Sequence, residues 1–111
     1  MDSKNISEIE FTKSSHPGQL KKVIFRASEM KSSVTQVAYA EFLAGEIIEE
    51  HSHDSMEEVF LVLDGNCEFW LDGVPQILIK DSVIKIAPKI KHRLKALTDT
   101  KLYYFGVSTI E

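Results

Sequence analysis

Residues 59–71 read VFLVLDGNCEFWL. Two runs rich in β-branched and aromatic side chains flank Asp64-Gly65, a dipeptide suited to a two-residue hairpin turn with positive φ. Such a turn sets Leu63 opposite Asn66, Val62 opposite Cys67 and Phe60 opposite Phe69. Side chains alternate between the faces of a strand. Glu58, Phe60, Val62, Cys67, Phe69 and Leu71 therefore share one face, and Val59, Leu61, Leu63 and Trp70 the other. Both faces are apolar, so both are expected to be covered. A barrel interior covers the first, and a second layer or a partner subunit the second. In so short a chain a homodimer is the simpler expectation.

The same texture extends in both directions. Short apolar segments at Val23–Phe25, Val34–Leu43, Val74–Ile79, Val83–Ile86, Leu94–Leu97 and Leu102–Val107 are separated by turn signals, including a second hairpin dipeptide, Asp72-Gly73. This predicts eight or nine strands about ten residues apart and no helix longer than two turns, an all-β sandwich or barrel. Residues 1–19 are polar and contain the turn-like His16-Pro17-Gly18. They read as an N-terminal arm or edge strand ahead of one barrel domain over residues 20–111. His16 itself reads as a solvated turn residue.

Composition narrows the function classes. The chain has 111 residues, enough for one hydrophobic core, and a formal charge of −4 from 13 basic and 17 acidic side chains. That mild acidity argues against a nucleic-acid partner, which calls for a basic patch. A single cysteine makes no internal disulfide and fits a reducing compartment. The polar start carries no signal-like apolar run, and no apolar stretch approaches the ~20 residues of a membrane helix. The expectation is a cytoplasmic protein with neither membrane nor nucleic-acid contacts. Histidine, present four times, is the scarce and informative residue.

His51 and His53 are two apart. On an extended strand they point the same way with Cα atoms ~6.5–7 Å apart, close enough for two imidazoles to meet one ion at ~2.1 Å. Glu57 and Glu58 follow after Asp54-Ser55-Met56, and either can return a carboxylate oxygen. His92 lies far along the chain, at the start of the Leu94–Leu97 segment, where an antiparallel barrel is able to bring it beside the first pair. Taken alone, His-x-His also suits a polar loop at a barrel mouth with no ion.

The longer pattern is more specific. Gly45, His51, His53, Glu58 and Gly65, separated by five, one, four and six residues, resemble the first sequence motif of the cupin superfamily. Residues 81–92, DSVIKIAPKIKH, resemble the second, with Pro88 and His92 at matching positions. Asp81 and Lys89 stand where glycines are usual, and Ala96 where an asparagine is often found. The likeness spans about residues 34–107. It implies a double-stranded β-helix, the jelly-roll barrel, with one metal held by His51, His53, Glu58 and His92. The spacing to Gly65 selects Glu58 over Glu57, and Glu58 also has the inward parity of Phe60 and Val62.

Three imidazoles and one carboxylate suit Fe, Mn, Zn, Ni or Cu rather than Ca or Mg. With a divalent ion the first shell carries 2 − 1 = +1, which welcomes an anionic or enolisable small molecule at an open position. The expected function is that of a metal-binding cupin acting on a small molecule in a cavity lined by Phe60, Val62, Cys67, Phe69 and Leu94. Its chemistry would be dioxygenase-like, or that of a related lyase or isomerase. The alternative is a non-catalytic ligand-binding or sensing cupin whose metal is structural or grips the ligand. Cys67 invites a thiol role but reads better as a small inward hydrophobe. Trp70, Tyr103 and Tyr104 read as packing or interface residues, with one of the two tyrosines placed to reach the cavity. Lys89, Lys91 and Arg93 form a basic loop around His92.

Overall fold

The structure, a computed structural model, describes residues 2–13 and 20–110. The His16-Pro17-Gly18 turn lies outside the described residues. Among the described residues ten strands run in chain order: β1 (Thr12–Lys13), β2 (Leu20–Arg26), β3 (Val34–Phe42), β4 (Ile47–His51), β5 (Met56–Asp64), β6 (Cys67–Leu71), β7 (Val74–Leu78), β8 (Val83–Ile86), β9 (His92–Ala96) and β10 (Thr100–Ser108). The helical elements among the described residues are two three-residue 3₁₀ turns, Ile6–Glu8 and Ala27–Glu29. No helix among them is long and apolar enough to cross a membrane.

The strands form two antiparallel sheets, one in the order β1-β2-β3-β10-β5-β8 and the other β4-β9-β6-β7. They pack face to face as a jelly roll. Alternation explains what lies between them. Phe42, Phe60, Val62, Ile84, Ile86 and Leu102 project inward from the six-stranded sheet, and Ile48, Cys67, Phe69, Leu78, Leu94 and Ala96 from the other.

One expected pairing is overturned. β5 and β6 do not form a hairpin about Asp64-Gly65. Both edges of β5 are occupied, by β10 and β8, while β6 pairs with β7 and β9. The chain instead crosses between the sheets at residues 65–66. There the Asn66 carbonyl accepts from the Leu97 and Thr98 amides, at 2.9 and 3.2 Å, and from the Thr100 hydroxyl. Face parity survives because each strand still alternates: Glu58, Phe60, Val62, Cys67 and Phe69 are all buried. Phe60 meets Phe69 across the core, ring centroids 5.4 Å apart and edge to face, rather than along a ladder. Asp72-Gly73 does close a two-residue hairpin, with Leu71 opposite Val74 and φ of 47° and 80°.

One strand lay beyond the expected set: β4 has only Ile47-Ile48 as an apolar signal before Glu49-Glu50-His51. β1, within the segment read as an arm or edge strand, is a two-residue edge strand on β2. β9 begins two residues earlier than the apolar run suggests, so His92 is itself a strand residue.

Candidate metal centre

The four implied ligands meet at one end of the sandwich. His51 closes β4, His53 lies two residues beyond it, Glu58 is the third residue of β5, and His92 opens β9 opposite His51. One potential ligand atom from each lies within 4.8 Å of all the others. Glu58 comes from the six-stranded sheet and His51 and His92 from the four-stranded one, so the cluster bridges both layers. Glu57, of opposite parity, is outside it.

Glu58 Oε1 lies 3.2 Å from His53 Nε2 and 3.3 Å from His92 Nε2. With metal–ligand bonds of about 2.1 Å, such separations subtend roughly 100° at a common centre, between tetrahedral and octahedral angles. Glu58 Oε1 and His92 Nε2 are fully buried without a hydrogen-bond partner. An unsatisfied buried polar atom costs about 1–3 kcal/mol, and a cation between these two satisfies both. The residues present therefore fit a metal ion.

Backbone carbonyls set the ring orientations. His92 Nδ1 lies 2.9 Å from the Ile90 oxygen, and His51 Nδ1 2.9 Å from the Glu49 oxygen. A carbonyl only accepts, so Nδ1 carries the proton and Nε2 keeps its lone pair in the neutral ring. Both supports come from residue i−2, a relation the ligand motif does not advertise. His53 is anchored through its own carbonyl, which accepts from the Lys89 amide at 2.7 Å.

Burial opposes charge on His92, but the Glu58 carboxylate and the Ile90 carbonyl outweigh it and raise its pKa. In the protonated ring, Nε2–H donates to Glu58. In the neutral ring two lone pairs face each other across 3.3 Å. A metal ion in the same gap would compete with that proton.

A chamber of about 40 Å³ adjoins Glu58, walled by Phe42, Ile48, Phe60, Leu94, Leu102 and Tyr104. Of the residues expected to line a cavity, Phe60 and Leu94 border it. Val62, Cys67 and Phe69 do not; they lie in the closed core, at most 1% exposed. Tyr104, on β10, stacks on Phe60 with centroids 5.2 Å apart. Burial and the nearby Glu58 charge push its hydroxyl pKa up to about 12. Tyr103 has the opposite parity and packs against Tyr39, 5.5 Å away, on the outside of the sheet. Burial likewise pushes the Cys67 thiol up to about 11, and Cys67 is not in the cluster.

Two larger concavities lie elsewhere. One of about 400 Å³ sits at the opposite end of β5 and β10, around Phe42, Asp64 and Thr100. Another, of about 470 Å³, runs along β4, β6 and β9, where Arg93 stacks on Trp70 at 4.0 Å. Neither contains a member of the His/Glu cluster, so size does not locate the chemistry. Lys89, Lys91 and Arg93 flank His92 in sequence, and the Arg93 guanidinium is turned onto Trp70.

The fold and the bridging cluster define a β-sandwich with a three-histidine, one-carboxylate centre. Residues 38–108 match the Cupin domain family, and the chain belongs to it. Solved structures agree on the fold. A predicted oxalate decarboxylase from Thermotoga maritima superposes with a TM-score of 0.84 at 17% identity, covering 92% of this chain and 95% of that one. A protein from Planctomyces limnophilus gives 0.80 at 22% identity, covering 100% and 91%. KdgF from Halomonas sp. gives 0.77 at 18%, covering 95% and 90%. No curated protein sequence matches the chain significantly.

Proposed function

We propose that this chain is a metal-dependent cupin in which one transition-metal ion, held by His51, His53, Glu58 and His92, binds and activates a small anionic or enolisable molecule. The observation that carries this reading is the buried, unpartnered pair of Glu58 Oε1 and His92 Nε2, flanked by His53. When bound, the ion supplies Lewis acidity toward a ligand oxygen at an open position. The chain's own backbone holds the ligand set in place through the Glu49 and Ile90 carbonyls and the Lys89 amide, and Phe42, Ile48, Phe60 and Leu94 give its inner side an apolar wall. Such a centre is suited to dioxygenase-like, lyase or isomerase chemistry. The structural likeness to a predicted oxalate decarboxylase from Thermotoga maritima is in keeping with a small anionic substrate.

The 40 Å³ chamber favours a second reading, a binding or sensing cupin. Substrate pockets commonly span about 300–1,000 Å³, so anything larger than a few atoms would sit at the mouth. Elemental analysis of protein purified without a polyhistidine tag tests the metal: about one transition metal per chain is expected, and none in His53→Ala. Oxygen uptake and product formation by iron-loaded protein, screened across catechols, thiols, β-diketones and small organic acids, then separate enzyme from binder. Tight ligand binding without turnover selects the binder.

A homodimer through the outer face of the six-stranded sheet is part of the proposal. On that face Val59 and Val37 flank Phe105, and Leu61 lies beside Tyr103. Phe105 is 37% exposed. A face of this composition is better buried than left in water. Light scattering at micromolar concentration is expected to give twice the chain mass; the single-chain mass rejects the dimer.

A further inference from the structure

We propose that the chamber beside Glu58 is a subsite for one ligand of two or three non-hydrogen atoms bound at the metal, and that the Tyr104 hydroxyl is the hydrogen-bond donor that positions it. The inference rests on the metal reading above and specifies the ligand for that site.

Size comes first. A buried water needs about 10–15 Å³ of space measured this way, so 40 Å³ holds about three atoms of that size. The walls are rigid: Phe42, Leu94 and Leu102 are at most 3% exposed, and Phe60 is held between Phe69 and Tyr104. Polarity comes second. The lining side chains are five hydrocarbons, the Glu58 carboxylate and Tyr104. Glu58 as a ligand is an acceptor only, which leaves Tyr104 as the one side-chain donor in the chamber wall. Its hydroxyl makes no hydrogen bond to the described residues. A half-buried phenol with an unspent donor, next to a centre of net charge +1, matches a small anion or a diatomic with partial negative charge.

Position comes third. Tyr104 pairs with Phe60 in the β5–β10 ladder, two residues along from the Gly106–Glu58 pair. Tyr104 and Glu58 therefore project from neighbouring strands onto the same inner face. The absence of a side chain at Gly106 leaves its place to Met56, whose Sδ accepts from the Thr35 hydroxyl at 3.1 Å.

The test uses cobalt(II)-loaded full-length protein and azide, a three-atom anion, followed by the visible absorption of the cobalt. Wild type is expected to bind azide and to ignore benzoate at the same concentration. Tyr104→Phe is expected to retain cobalt fully yet bind azide about three- to tenfold more weakly, the effect of one lost hydrogen bond. Unchanged azide affinity in Tyr104→Phe overturns the role of Tyr104, and benzoate binding as tight as azide overturns the size limit. Both results leave the metal reading standing. Failure of wild type to retain cobalt overturns the metal reading and this one with it.

Discussion

His92 Nε2 and Glu58 Oε1 face each other across 3.3 Å from opposite sheets, both buried and neither with a hydrogen-bond partner. A cation in that gap would tie the two layers together, which would couple metal binding to folding. At a free metal concentration of 100 times Kd, binding adds about 2.7 kcal/mol, an upward shift of about 10 °C or more in a domain this size. Differential scanning fluorimetry with and without added metal is expected to show that shift in wild type. Glu58→Gln is expected to abolish it, since the substitution removes the carboxylate that would hold the ion in that gap.

The same pair sets opposite pH dependences for the two forms. The folded-state pKa of His92 is raised. Its contribution to the metal-free protein is therefore full below the ordinary histidine value and is lost as pH rises through the raised one. Metal binding needs the neutral ring and strengthens over the same range. Chelator-treated protein is expected to become less stable from pH 6 to 8 while the metal-induced shift in Tm grows. His92→Gln is expected to flatten the first trend and eliminate the second. Parallel trends in the two forms would show that proton and metal do not share the gap.

Much of this centre is legible in the residues because ligation needs particular atoms at particular spacings. His51, His53 and Glu58 sit within eight residues, and parity alone separates Glu58 from Glu57. The Val62 and Phe69 faces were legible for the same reason, since alternation is a local property. What alternation does not encode is which strand lies next to which. Asp64-Gly65 has the chemistry of a hairpin turn, but the ladder positions on both sides of β5 go to β8 and β10, which are distant in sequence. Long-range pairing likewise decides that Tyr104, not Tyr103, faces inward.

Gly65 shows how that crossing is enforced. It has φ +86°, and a Cβ there would run into the Asp99 carbonyl and come within 2.8 Å of Thr100 Cα. Both obstacles are backbone and cannot swing aside. Gly45 has a similar φ of +90° with open space around it. Gly45→Ala is expected to cost about 1 kcal/mol in backbone strain alone, whereas Gly65→Ala is expected to cost about 2–4 kcal/mol by adding overpacking. Urea denaturation midpoints compare the two, and equal losses would mean the crossing is not tight.

Lys89 tests the opposite substitution. It occupies left-handed backbone at φ +69°, as does Asp81 at +72°, at the two places where the cupin motif usually has glycine. The loop thus keeps its shape at a steric cost of about 1–2 kcal/mol for lysine, less for aspartate, which tolerates this region. Lys89→Gly relieves that strain but adds unfolded-state entropy worth about 0.5–1 kcal/mol. A net gain of up to about 1 kcal/mol is expected, with a smaller one for Asp81→Gly. The Lys89 amide bond to the His53 carbonyl is independent of the side chain, so metal content is expected to be unchanged. A fall in both stability and metal content in Lys89→Gly would show that the lysine side chain, not the backbone shape, supports the site.

Cys67 completes the separation of core from site. Its side chain is 0% exposed in the closed core, and burial pushes its pKa up to about 11. At pH 8 about one thiol in a thousand is then ionised, and even that fraction is out of reach of a reagent in solution. The native protein is expected to resist Ellman's reagent for many minutes and to release one equivalent of thiol once denatured. Cobalt-loaded protein is expected to lack the intense near-ultraviolet thiolate-to-metal absorption. Cys67→Ala, which deletes one small buried group, is expected to cost about 1 kcal/mol in stability and nothing in metal content. Rapid labelling of the native protein together with metal loss in Cys67→Ala would instead place the thiol at the metal and refute its role as a packing residue.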